Sequence, residues 1–154
     1  MSDPLVETWE INCRINLYLL KAIPTDALAL IPPSRGRSVG QAFAHLHNVR
    51  LMWLKSAMPE LLEGLQKIES DTAHDPELLC TSLTESSARM TELISTSLAS
   101  GGRVKGFKPH VQAFVGYLIS HESHHRGQIM VALKDGGVKI DKKIPFGLWA
   151  WGVR

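Results

Sequence analysis

The chain is poor in nearly every feature that marks a specialised compartment or a polyanionic partner. It has two cysteines, Cys13 and Cys80, far apart and in no C-x-x-C pair. A reduced cytoplasmic protein explains them best. Charge of either sign is scarce in excess: the formal net charge is +2, which makes no case for nucleic acid or an anionic membrane as partner. No apolar run approaches the length that crosses a bilayer. The first stretch, MSDPLVETWEINCR, is acidic and lacks a basic n-region and an apolar h-region, so no signal peptide is expected. Strand-type alternation is nearly absent, as are internal repeats and low-complexity tracts. What is left is an ordinary apolar share in 154 residues, read as one domain over 1–154 with enough chain to bury a core.

Helix signals are plentiful. Asp3 followed by Pro4 marks a helix start, and Pro24 ends a segment running to about Ala22. A linker with IPPSRGRS follows. Ser38 and Gln41 have the spacing of a capping box, opening a helix from Val39 to about Ala57 that Pro59 stops. A short helical turn is expected in PELLEGLQKI. Asp75-Pro76-Glu77 supplies cap, proline and first-turn acid for a third helix, closed near Ala99 by Ser100-Gly101-Gly102. A fourth starts near Pro109 and runs to about Lys134, before Asp135-Gly136-Gly137. The tail VKIDKKIPFGLWAWGVR is rich in aromatics, which pack back on the helices or form subunit contacts. The fold class is therefore all-α: a four-helix bundle with a long crossover after the first or second helix and a short aromatic-rich C-terminal tail.

Seven histidines stand out. In the fourth helix Val111, Phe114, Val115, Leu118, Ile129, Ala132 and Leu133 define an apolar stripe. At 100° per residue His125 lies about 30° from its centre, His121 about 70° and His124 about 130°. His121 and His125 thus point inward one turn apart, where two imidazoles can reach one metal ion. His124 points away. In the second helix His45 and His47 flank the stripe of Val39, Ala42, Phe43, Leu46, Val49 and Trp53, each roughly 90–110° from its centre, so periodicity hardly separates them. His74 and His110 sit at loop positions expected to be solvated.

His121-Glu122-Ser123-His124-His125 also spells H-E-x-x-H, the zinc-protease helix motif. No glutamate follows Glu122 and no histidine follows His125, so the third protease ligand is missing. The protease reading fails on that absence. Gln128, on the His121 side of the helix, can hydrogen-bond a ligand or its neighbour. Glu122 is placed as a buried ion-pair partner of Arg126, four residues on, ahead of a general-base role. Gly127 would let another helix approach closely.

SVGQAFAHLHNVRLMWL, followed some seventy residues later by HESHHRGQI, resembles the DinB-like (DNA-damage-inducible protein DinB) superfamily. The likeness spans nearly the whole chain, and the HHRGQ run is its most specific part. It implies a four-helix bundle with a divalent metal held by three histidines, here His45, His121 and His125. Matching SVGQAFAH to the family's second helix selects His45 over His47. Three imidazoles leave an open coordination position, as in catalytic sites. Zinc and nickel suit imidazole best, with iron as a third choice. The superfamily includes enzymes using a low-molecular-weight thiol, which implies metal-activated S-transfer to a small electrophile. The alternatives are a metal-dependent hydrolase of a small substrate and a non-catalytic, stress-related metal- or ligand-binding module. Arg35, Arg37, Arg50 and Lys55 are candidate cations for an anionic thiol, although surface solvation explains them equally well. The resemblance also implies a homodimer and a small-molecule substrate; despite the family name, no basic stripe supports nucleic-acid binding.

Overall fold

In the computed structural model, which describes residues 2–154, four long helices carry the chain: α1 Pro4–Ala22, α2 Val39–Ala57, α3 Pro76–Ala99 and α4 Val111–Asp135. A short α5, Lys143–Gly147, lies in the tail. Each long helix begins where its side chains satisfy orphan amides. Asp3 accepts from the Leu5 amide, and Asp75 accepts from those of Glu77 and Leu78. Ser38 and Gln41 close the reciprocal capping box. The fourth helix starts two residues later than the proline suggested, because the His110 Nδ1 caps it by accepting from the Ala113 amide. His74 is exposed as expected, yet its ring bonds the Ser38 hydroxyl at 2.8 Å and ties the loop before α3 to the start of α2.

The helices alternate around the bundle: α1 and α2 each pack against both α3 and α4. Consecutive α1 and α2 are therefore diagonal, and residues 23–38 make the crossover, part of it a 3-10 turn at Thr25–Ala29. The four stripes meet in two apolar clusters. One holds Leu19, Phe43, Leu46, Leu79, Leu83, Ile129 and Leu133. The other holds Val6, Trp9, Leu54, Met90, Leu93, Phe114 and Leu118.

The tail divides in two. Ile144 and Leu148 pack on the first cluster, the Tyr18 hydroxyl donates to the Lys143 carbonyl, and the Arg154 guanidinium lies 3.8 Å from the Tyr18 ring centroid. Phe146 and Trp149, at 78% and 81% exposure, lie outside the core. No helix of the described residues is long and apolar enough to cross a membrane.

Two glycines test the packing in opposite directions. A Cβ at Gly40 would collide with the Ala73 carbonyl and the His74 ring, so the loop before α3 lies hard against α2 there. A Cβ at Gly127 meets nothing within 4 Å. No helix of this chain exploits Gly127, contrary to the expectation of close approach within the bundle. Gly127→Ala should raise stability by roughly 0.5–1 kcal/mol through helix propensity, whereas Gly40→Ala should lower it by about 1–3 kcal/mol through overpacking. Urea denaturation of the two variants checks both signs.

Candidate metal centre

The two apolar clusters are separated by a layer of polar side chains, one step along each helix from the last apolar contact. Asn12 and Asn16 come from α1, Arg50 from α2, Ser86 from α3, and Glu122 and Arg126 from α4; all are buried. The Glu122 carboxylate is the hub. Its Oε1 accepts from Arg50 Nε at 2.7 Å, and its Oε2 accepts from Arg50 Nη2 at 3.0 Å, Asn12 Nδ2 at 2.7 Å and Asn16 Nδ2 at 2.6 Å. Arg50 Nη1 donates in turn to the Leu83 carbonyl and to the Ser86 and Ser87 hydroxyls. Arg126 Nη1 donates to the carbonyl oxygens of Asn12 and Asn16.

This arrangement corrects two expectations. Glu122 pairs with Arg50, 72 residues away in sequence, and reaches Arg126 through the two asparagines. The carboxylate is 1% exposed and enclosed by the guanidinium of Arg50 and the two asparagine amides, out of reach of a substrate, which removes the general-base role. Arg50, placed among cations at a pocket mouth, is 1% exposed and faces the core. Burial alone pushes the Glu122 carboxyl up. Arg50 and the asparagine amides more than offset this and hold it below the usual carboxylate range. Burial drives the neighbouring Cys13 thiol up to about 12, so it stays neutral and unreactive.

The histidines gather beside this layer. His45 of α2 and His121 and His125 of α4 each present one ring nitrogen, all within 4.8 Å of one another. The Nε2 atoms of His45 and His121 are 3.2 Å apart. Two nitrogens bound to one tetrahedral ion at about 2.1 Å sit roughly 3.4 Å apart, so the pair is already at ligand spacing. His125 Nδ1 bonds Gln128 Oε1 at 2.9 Å, which places the proton on Nδ1 and turns the Nε2 lone pair free. Gln128 thus supports His125, one turn away, rather than its facial neighbour His121. The donor set, three imidazoles and no carboxylate, fits zinc, nickel or iron.

The electrostatics keep the rings neutral. Burial, then the charge of Arg37 and the other two rings, pushes His45 down to about 4. Burial also lowers His121, partly countered by Glu122. It lowers His125 as well, with His121 acting in the same direction. Neutral imidazole is the form that ligates a metal.

The histidine left open by periodicity goes elsewhere. His47 is buried, and its Nε2 donates to the Gln66 carbonyl at 2.7 Å, pinning the loop that follows α2. His124 is exposed and outside the cluster, its ring edge-on to that of His125 at 5.2 Å between centroids. Asn12 and Asn16 escaped the sequence reading, although two asparagines one turn apart in the Trp9–Leu20 stripe of α1 were a visible signal.

The model of the DinB family matches residues 1–142. No curated protein matches the chain. Among solved structures, a DinB-like protein from Bacillus cereus ATCC 10987 is similar in fold, with a TM-score of 0.61 and 16% identity over 89% of this chain and 93% of that one.

Two measurements test the layer. Replacing Glu122 with Gln leaves two buried guanidinium groups without an anion and should cost about 3–5 kcal/mol in urea denaturation; wild-type stability would sink the hub assignment. The folded-state values of Glu122, His45, His47, His121 and His125 are all depressed, so the unfolded chain binds more protons. Stability of the metal-free protein should be full above the unfolded histidine value of about 6.5. It should fall as the pH drops towards the His45 value of about 4, and fall further as Glu122 is protonated. Urea midpoints at pH 7.5, 5.5 and 4.5 should decrease in that order.

Proposed function

Since the chain belongs to the DinB family, we propose that His45, His121 and His125 hold one divalent metal ion and that the protein is a metal-dependent enzyme for a small molecule, a thiol S-transferase. The observation that carries this reading is the convergence of three neutral imidazoles, from two helices, with one ring oriented by Gln128. When bound, a divalent ion supplies Lewis acidity that lowers the pKa of a sulfur or oxygen ligand and makes it nucleophilic at neutral pH.

The chain's own residues do the rest. His45 and His121 fix the donor spacing from opposite helices, and Gln128 holds the His125 proton on Nδ1. Glu122 and Arg50 lock α4 against α2 directly beside the ligands. One solvent-open cleft has His45 in its wall and gives a substrate access to the cluster; a second is lined by Gln128, the hydrogen-bond partner of His125. Cys13 plays no nucleophilic part, so sulfur would come from a small thiol. Hydrolysis through a bound hydroxide uses the same donors and is the second reading; a non-catalytic binding module is the third.

A second copy of the chain is proposed as partner. Phe146, Trp149 and Val153 are 78%, 81% and 76% exposed. Trp149 also lines a cleft of about 480 Å³ between α4 and the tail that reaches Gly127. Exposed apolar groups in such density mark an association surface.

Elemental analysis of the purified protein should find close to one zinc, nickel or iron per chain. His45→Ala and His125→Ala should be empty, while His124→Ala should keep the wild-type content. Metal-loaded protein should then transfer a small thiol to an epoxide or halide, with the rate falling at least tenfold in His125→Ala. A wild type that stays empty after metal is supplied would falsify the reading. Light scattering should give twice the chain mass, reverting to one in Trp149→Ser.

A further inference from the structure

The crossover between α1 and α2 bends sharply just before the Ser38 cap. Arg35 has φ +64° and Gly36 φ +99°, two successive residues in the left-handed region. A non-glycine residue there is uncommon and is held by its surroundings; the Arg35 amide donates to the Pro32 carbonyl at 2.8 Å. The bend puts Arg35 and Arg37 on the wall of a cleft of about 210 Å³, beside Ser38 and Gln128. Its floor is apolar: Val39, Ala42, Ile129 and Ala132. No lining residue is a carboxylate.

Both guanidinium groups are exposed, and among the described residues neither forms an ion pair or a side-chain hydrogen bond. Gln128 spends its carbonyl oxygen on His125 and has no partner for its amide nitrogen. Arg37 also lines the neighbouring cleft with His45, where the other charges, Lys67 and Glu69, pair with each other at 3.6 Å. Arg37 is therefore the cation common to the cleft that holds His45 and the cleft that holds Gln128, the partner of His125. Its charge is felt at all three rings. Arg50 faces the core and Lys55 lines neither cleft.

We propose that this cleft is an anion subsite, in which Arg35, Arg37 and the Gln128 amide hold the carboxylate of the reactant whose other end reaches the three-histidine centre. The proposal rests on the metal reading above and adds the substrate class: a small molecule with a carboxylate separated from its metal-binding group by a short apolar segment, which the apolar floor accommodates. Guanidinium groups suit a carboxylate because their fork of donors matches its two oxygens. The carboxylate could belong to the thiol or to its acceptor; both present the same chemistry to the cleft.

The test uses full-length protein loaded with cobalt(II), whose sulfur-to-metal charge-transfer band reports thiol binding. The probes are 3-mercaptopropionate and 2-mercaptoethanol, which share a thiol and differ in the carboxylate. Wild type should bind the first at least about tenfold more tightly, the worth of a charge-assisted hydrogen bond. In the Arg35→Ala/Arg37→Ala double variant, surface changes that spare the core, the ratio of the two affinities should collapse to near one while cobalt still binds. Lys55→Ala should keep the preference, which separates local recognition from overall charge. Equal affinities in wild type, or a preference that survives in the double variant, overturn the proposal. If cobalt does not bind, or neither thiol gives a band, the metal–thiol reading fails by itself. Calorimetric titration with succinate then decides: binding by wild type that is absent in the double variant upholds the subsite and assigns the carboxylate to a reactant without sulfur, and no binding by wild type overturns it.

Discussion

A single buried carboxylate sets the terms for the bundle. Glu122 cannot sit in an apolar interior without compensation, and an unpaired charge there would cost several kcal/mol. The chain answers with Arg50 from α2 and two asparagines from α1, and Arg50 extends the contacts to α3. Replacing such a group with well-packed apolar residues is often neutral or stabilising, so net stability is a poor explanation for its presence. Its directional demands explain more. Apolar stripes can slide past one another by a turn with modest loss, but a four-donor carboxylate accepts one register only.

That register matters because the imidazoles sit on the same backbone. His121 precedes Glu122 and His125 precedes Arg126, so each α4 imidazole of the cluster adjoins a residue locked into the polar layer. His45 lies five residues before Arg50 on α2. The pairing of Arg50 with Glu122 holds α2 and α4 at one relative height, and the 3.2 Å spacing of His45 and His121 follows from that height. A shift of one helical turn, about 5.4 Å, would take His45 out of reach.

Much of the helical frame was legible because it rests on local chemistry. The capping box at Ser38, the Asp-Pro starts and the α4 stripe depend on neighbours within a turn, and they appear where the spacing places them. His121 and His125 were legible for the same reason. His45 and His47 were not separable by angle, since both lie on flanks of one stripe; what divides them is tertiary, α4 on one side and the Gln66 carbonyl on the other. Glu122 misled in the opposite way. Its i+4 neighbour Arg126 is the natural local partner, yet the bond goes to Arg50, and nothing local distinguishes a buried arginine from an exposed one. Trp149 shows the same limit: an aromatic signals burial, yet this one is 81% exposed on the chain.

The polar layer also divides the interior into two apolar halves, each built from parts of several helices. Neither half is a sequence-contiguous unit, and every long helix contributes to both. A fluctuation that opens one half must pull on helices anchored in the other, and it must do so through the hydrogen bonds of Glu122 and Arg50. Partial opening is therefore disfavoured, and amide protons deep in α1, α2 and α4 exchange with solvent chiefly when the whole domain unfolds. The histidine cluster inherits that all-or-none behaviour: it exists intact or not at all.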